Sequence, residues 1–200
     1  MSRMPHDYSR VSHFSKDQVV YFQGDSVSSS YAVTAGVART CRYRSDGQRQ
    51  ITGFYYPGDV FGIDGDFYLE SAEAVSDLSC LCLKRHAGGV SDYDPEWNIE
   101  RLLRQALDGA NRSIFLFGQR TALERLAAFI LTTAERVGEF NSLNLAMCRT
   151  DIADYLGLTI HTVSRTISQL CSHKLIALDG PHHCRILDLR GIRALAGEDT

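Results

Sequence analysis

The densest chemistry in the chain lies between residues 148 and 178. Arg149, Thr150, Thr159, His161, Thr162, Ser164, Arg165, Ser168, His173 and Lys174 stand close together there, and the 24 residues from Tyr155 to Leu178 include no Asp or Glu. An Arg side chain can give two parallel donors to guanine O6 and N7, a Ser hydroxyl donates or accepts, and cations near phosphate gain from counterion release. These residue types suit a nucleic acid. Ile160, His161, Ser164 and Arg165 are the candidates to meet base edges, and Arg149, Thr150, Thr159, Thr162 and Lys174 the candidates to meet phosphates. The alternative is the ordinary solvated face of an amphipathic helix.

Two short helices and a turn would position these groups. Thr150 is expected to cap a helix over 151–156, with Ile152 and Leu156 on its buried side. Gly157 suits the left-handed position that ends a helix, Leu158 follows as an apolar plug, and Thr159 caps the next helix. In that second helix Val163, Ile167 and Leu170 recur at spacings of four and three and face the core. Ile160, His161, Ser164, Arg165 and Ser168 are left on the opposite stripe. Helix, glycine turn and helix form the helix-turn-helix plan. Downstream, residues 175–178, a turn at 179–182 and residues 184–187 read as a two-stranded wing. His182, His183 and Arg185 at its tip reach a nucleic-acid backbone in one reading and solvent in the other.

The preceding segments are expected to dimerise and to scaffold. From Pro95 to Phe117 no further Pro occurs, and Leu103, Leu107, Ala110, Ile114 and Phe117 follow spacings of four, three, four and three. Such a seam packs on its own domain or on a second copy of itself, and the small Ala110 allows close approach. Self-association is the expectation. A second amphipathic helix over 123–137, with Leu126, Phe129, Ile130 and Ala134 inward, stops at Gly138. The first half alternates short β-branched or aromatic runs (19–22, 31–33, 37–43, 51–56 and 78–83) with turn signals at Gly24-Asp25, Ala35-Gly36, Asp46-Gly47 and Pro57-Gly58-Asp59. Many short strands at this spacing imply a sandwich or barrel. On the last run Cys80 and Cys82 share a face with Leu78, as small core-filling thiols.

Composition bounds the remaining classes. Of 200 residues 44% are hydrophobic, enough for a buried core. No stretch approaches the roughly 20 apolar residues of a membrane span, and the N-terminus lacks the apolar run of a secretory signal, so a cytoplasmic protein without a membrane partner is expected. Six cysteines without a C-x-x-C pair exclude a spaced zinc site. No nucleophile elbow, phosphate loop or H-E-x-x-H occurs, so no catalysis is expected. The net charge of −3 argues against a nucleic-acid binder until it is divided. Residues 120–200 hold nine Lys/Arg and nine Asp/Glu, and the first 119 hold 12 against 15, which carries the whole excess.

Residues 148–165, Cys-Arg-Thr-Asp-Ile-Ala-Asp-Tyr-Leu-Gly-Leu-Thr-Ile-His-Thr-Val-Ser-Arg, resemble the helix-turn-helix of Crp/Fnr transcription regulators, in their FixK/Fnr branch. Phe22-Gln23-Gly24-Asp25, Gly36, Asp46-Gly47-Gln48-Arg49-Gln50-Ile51, Gly53-Phe54 and Pro57-Gly58-Asp59-Val60-Phe61-Gly62 resemble the family's cyclic-nucleotide-binding-like β-roll. Glu124-Arg125-Leu126-Ala127-Ala128-Phe129 resembles the segment after its dimer helix. The resemblance implies an α+β chain with an antiparallel β-roll over 1–94, a dimerisation helix over 95–118 and a winged helix-turn-helix over 119–200. It also implies a homodimer on double-stranded, palindromic promoter DNA, with RNA polymerase as a further partner and low-oxygen or nitrogen-metabolism genes as targets. An alternative keeps that role and gates it by a small effector or haem in the roll, for which His86, Cys80 and Cys82 are the clustered ligands.

Departures from the family limit what carries over. Nucleotide-binding members hold phosphate with Arg-Ser/Thr-Ala, and the counterpart here is Glu70-Ser71-Ala72, whose carboxylate repels phosphate. The closely spaced N-terminal cysteines that ligate the Fnr iron–sulfur cluster have no counterpart before Cys41. No cofactor or metal is therefore expected. His161 replaces the usual Glu of Glu-Thr-Val-Ser-Arg, so a donor stands where the family has an acceptor for cytosine N4. His161 either shifts the half-site, toward a guanine N7, or meets phosphate or solvent. Cys148, beside Arg149 and ahead of a helix, is a candidate redox switch, because oxidation would add bulk and charge next to phosphate; the other reading is an unreactive thiol.

Overall fold

The structure, a computed structural model, describes residues 9–84 and 121–198 together with Arg104, Leu107, Gly109 and Gly118. The described residues fall into two compact units. One is built on residues 9–42 and 53–84, the other on 43–52 and 121–198.

Alternating short strands give the first unit two four-stranded sheets. One has the order β1 (Ser9–Phe14), β8 (Leu78–Lys84), β3 (Ser29–Ala35), β6 (Val60–Phe61). The other has the order β2 (Val19–Tyr21), β7 (Ser71–Ala74), β4 (Ala38–Tyr43), β5 (Arg49–Tyr55). The β1–β8, β3–β8, β3–β6, β2–β7 and β4–β7 pairings are antiparallel, the arrangement expected of the roll. Its core sets Tyr21, Phe61 and Tyr68 against the small side chains of Ala38, Ala72 and Ala74, so that rings fill the space the alanines leave. Tyr21 stacks on Tyr68 at 3.7 Å between ring centroids, and Tyr31 on Phe61 at 5.4 Å. Arg39 and Glu73, opposite one another on β4 and β7, form a buried ion pair of 2.7 Å.

Strands β1, β6 and β7 have no counterpart in the sequence expectations. β7 is Ser-Ala-Glu-Ala, with no β-branched residue, and becomes a strand because it is buried between β2 and β4. Cys80 lies in the core, whereas Cys82 is only partly buried, which corrects the pairing of the two as core thiols.

The second unit is helical with a small sheet. It contains α1 (Ala122–Val137), α2 (Arg149–Leu156), α3 (Ile160–Ser172) and α4 (Leu189–Ala196), with β9 (Leu143–Asn144), β10 (Ile176–Leu178) and β11 (His183–Ile186). Thr121 and Glu124 form a reciprocal capping box at the start of α1, and Gly138 ends that helix in the left-handed conformation. Leu126, Ile130, Leu131, Leu143, Met147, Leu156, Leu170, Ile176 and Ile192 bring every one of these helices into one core. The wing has a third strand, because β9 pairs with β11 on the side away from β10. Neither β9 nor α4 was expected.

Of the expected dimer seam, Leu103, Ala110, Ile114 and Phe117 lie outside the described residues, as do the boundary at 94/95 and His86. Leu107 is helical and 61% exposed. Among the described residues no helix is long and apolar enough to cross a membrane.

Gly36 turns β3 into β4 with a φ of +80°, and a Cβ there would stand 2.1 Å from the Asp77 carbonyl oxygen. Gly36→Ala should therefore lower stability by about 2 kcal/mol or more, roughly 4 °C in Tm. A calorimetric melt of the full chain checks this.

Candidate nucleic-acid interface

The α2–turn–α3 segment is assembled from local rules. Gly157 adopts the left-handed conformation (φ 64°) and donates to the Ala153 carbonyl, as does Leu158 at 2.9 Å, closing α2. Thr159 opens α3: its hydroxyl accepts from the Thr162 backbone N–H at 3.1 Å. The Thr159 and Thr162 hydroxyls also lie 2.9 Å apart. One of the two O–H protons is used between them, and one is left for an outside acceptor. Arg125 of α1 donates to the Leu156 carbonyl at 3.2 Å and so holds the C-terminal end of α2.

The start of α2 differs from expectation. Its N-cap is Cys148, with extended backbone, and Arg149 and Thr150 are already helical, so Thr150 does not cap it. A thiol is a poor acceptor, and no side-chain bond caps the helix.

The faces of α3 separate. Val163, Thr166, Ile167 and Leu170 are buried, whereas Ile160, His161, Arg165 and Ser168 are exposed and Ser164 is half-buried. Thr166 joins the inward row without having been expected there. Among the described residues Arg165 has no acidic partner. Arg149 reaches across from α2, its Nη1 donating to Ser164 Oγ at 3.4 Å, so the two share one surface. Lys174 follows α3 with a φ of 58° and is exposed.

On the wing, Arg185 donates to Asp179, and this hydrogen bond holds the Asp179 carboxyl below its ordinary range. His182 Nδ1 lies 2.9 Å from the Leu145 carbonyl oxygen. A carbonyl only accepts, so Nδ1 carries the proton and His182 ties the wing turn to the segment before α2. His183 remains exposed.

Sequence reasoning missed the cation that serves α2. Arg49, at the start of β5, donates through Nη2 to Asp151 Oδ1 at 2.6 Å and to Asp154 Oδ2 at 2.8 Å, and through Nε to Asp154 Oδ2 at 3.0 Å. No local signal links residues 102 positions apart. The one available hint was two carboxylates three apart on a short helix.

The roll interior was the other candidate site. Glu70 pairs with Arg42 at 3.2 Å, and Ser71 Oγ accepts from the Gln23 N–H at 3.0 Å, so both groups that correspond to a phosphate cradle are engaged. Burial holds the Tyr21 and Tyr31 hydroxyls neutral, well above the ordinary tyrosine range. Burial, reinforced by Cys82, pushes the Cys80 thiol up to about 12, so it stays protonated near neutral pH.

Two family models match the chain, one in each half. Residues 11–87 match the cyclic nucleotide-binding domain family, and residues 124–195 match the Crp-like helix-turn-helix domain family. The chain is 37% identical over 191 residues to the nitrogen fixation regulation protein FixK of Azorhizobium caulinodans, covering 91% of this chain and 77% of that protein. It is 35% identical to the protein of that name from Rhizobium meliloti, covering 92% and 86%. The solved structure of FixK2 from Bradyrhizobium japonicum superposes with a TM-score of 0.83 at 32% identity, covering 96% of this chain and 98% of that one.

Cys148→Ser should supply the missing cap of α2. The expected gain is about 1 kcal/mol, a rise of roughly 2–4 °C in Tm, measured by thermal denaturation under reducing conditions.

Proposed function

The chain belongs to the Crp/Fnr family of transcription regulators, in its FixK-like branch, and from that premise we propose how it meets its DNA. It is a DNA-binding regulator and not an enzyme. The finer reading is a homodimer that places one α3 in each of two successive major grooves and activates promoters of low-oxygen or nitrogen metabolism. A two-fold dimer requires a palindromic site with half-sites about 34–36 Å apart. The 61% exposure of Leu107, an apolar residue of the proposed seam, favours a partner copy. RNA polymerase is the further partner, and the cytoplasm the site of action.

The observation that carries this reading is the outward stripe of α3, exposed opposite a buried row and free of carboxylates. Arg165 offers its fork to guanine O6 and N7, Ser164 and His161 offer single hydrogen bonds, and Ile160 an apolar surface for a thymine methyl. Arg149, Thr150, Lys174 and the hydroxyl left over by Thr159 and Thr162 meet phosphate oxygens and set the register. The roll serves as a scaffold: rings fill its interior, and Glu70 repels a cyclic phosphate. Cys148, exposed beside Arg149, is the redox-sensitive point, its thiol going to sulfenic acid as peroxide is reduced to water.

Selection from a random duplex pool should return an inverted repeat, and a chain that enriches no sequence overturns the reading. On the selected site Arg165→Ala should cost roughly 1–3 kcal/mol and relax preference at one base pair, whereas Lys174→Ala should weaken all sequences and reduce the salt slope by about 1. Peroxide treatment should weaken binding by the wild-type chain and leave Cys148→Ala unaffected. Equal losses in both would show that the oxidised group lies elsewhere.

A further inference from the structure

Arg49 belongs, with the rest of residues 43–52, to the same compact unit as the helix-turn-helix. Its ion pairs run to a helix: Asp151 and Asp154 stand three apart on α2, and its Nη2 and Nε bond both carboxylates at 2.6–3.0 Å. The Asp151 side chain is 4% exposed and that of Arg49 is 20% exposed, so water screens this cluster far less than a surface pair. α2 in turn packs on α3 and carries Arg149, whose guanidinium reaches Ser164. A displacement of α2 is therefore passed to the helix proposed to enter the groove.

We infer that Arg49 is a positioning residue for DNA recognition: by gripping both carboxylates of α2 from the hairpin tip, it fixes α2, and through it α3, in the orientation that reads DNA. The role rests on the DNA-reading surface proposed above. Arg49 acts through Asp151 and Asp154, not on a phosphate, because two of its three guanidinium nitrogens are committed to carboxylates.

This role makes a prediction opposite in sign to simple electrostatics. Asp154→Asn removes a negative charge from the helix-turn-helix, which by charge alone tightens attachment to a polyanion. If the grip positions α2, the same change weakens binding, because a neutral amide oxygen holds the Arg49 guanidinium less strongly than a carboxylate does.

The experiment uses the full chain and the fluorescein-labelled duplex that the wild-type chain selects, with affinity measured by anisotropy across a salt series. Asp154→Asn should bind about threefold or more weakly, and Arg49→Met roughly tenfold or more weakly, both with the wild-type salt slope. Arg49→Lys, able to hold one carboxylate as a point charge, should recover part of the loss. Circular dichroism at the assay temperature establishes that each variant is folded, and Asp154→Asn decides the matter should Arg49→Met fail to fold. Binding by Asp154→Asn equal to or tighter than wild type overturns the role. A salt slope lowered by about 1 in Arg49→Met also overturns it, by making Arg49 a phosphate contact. Failure of the wild-type chain to select any site overturns the DNA reading itself, and this role with it.

Discussion

A helix can offer a polar face to a ligand only if its opposite face is anchored, and in this chain the anchor is the row Val163, Thr166, Ile167 and Leu170 on α3. Everything around α3 serves that anchoring. Gly157 and Thr159 set the angle at which it leaves α2, Arg125 holds the preceding helix end, and Ile176 and Ile192 close the core from the wing and from α4. The outward residues Ile160, His161, Arg165 and Ser168 are thereby left exposed. Ile160, a large apolar residue, is left 43% exposed on that outward face.

Charge is managed by pairing rather than by total. The acids nearest the proposed DNA surface have partners: Asp151 and Asp154 have Arg49, and Asp179 has Arg185. Arg165 has none among the described residues. The overall −3 thus coexists with a locally cationic helix, and an acidic body limits attachment to arbitrary sequence. The roll shows the same economy. There Glu70 pairs with Arg42, and stacked rings pack in the core.

What was legible in the sequence was local. The spacing of Val163, Ile167 and Leu170, the glycine at 157 and the threonine at 159 each express a rule that acts within one helical turn, and each is found as read. The hairpin at Asp46-Gly47 belongs to the same class, its turn closing with Gly47 N–H to the Arg44 carbonyl at 2.9 Å. What escaped was set by tertiary context. β7 is a strand because of its neighbours, α4 runs through Gly191 because Asp188 caps it and its apolar side meets α1, and His182 is an anchor because Leu145 happens to face it. The cap of α2 was misplaced by two residues, since Thr150 is the better capping residue by type but Cys148 has the extended backbone. Arg49 was read only as part of a segment resembling the β-roll.

The membership of residues 43–52 in the C-terminal unit has a topological consequence. The body that carries α3 is not an interval of the chain: it is closed by a loop that leaves the roll's sheet along β4 and returns along β5. A fragment cut to begin at residue 119 would keep all four helices and the wing, yet lack the guanidinium on which α2 leans. Modularity here ends at a hairpin, not at a single cut in the chain.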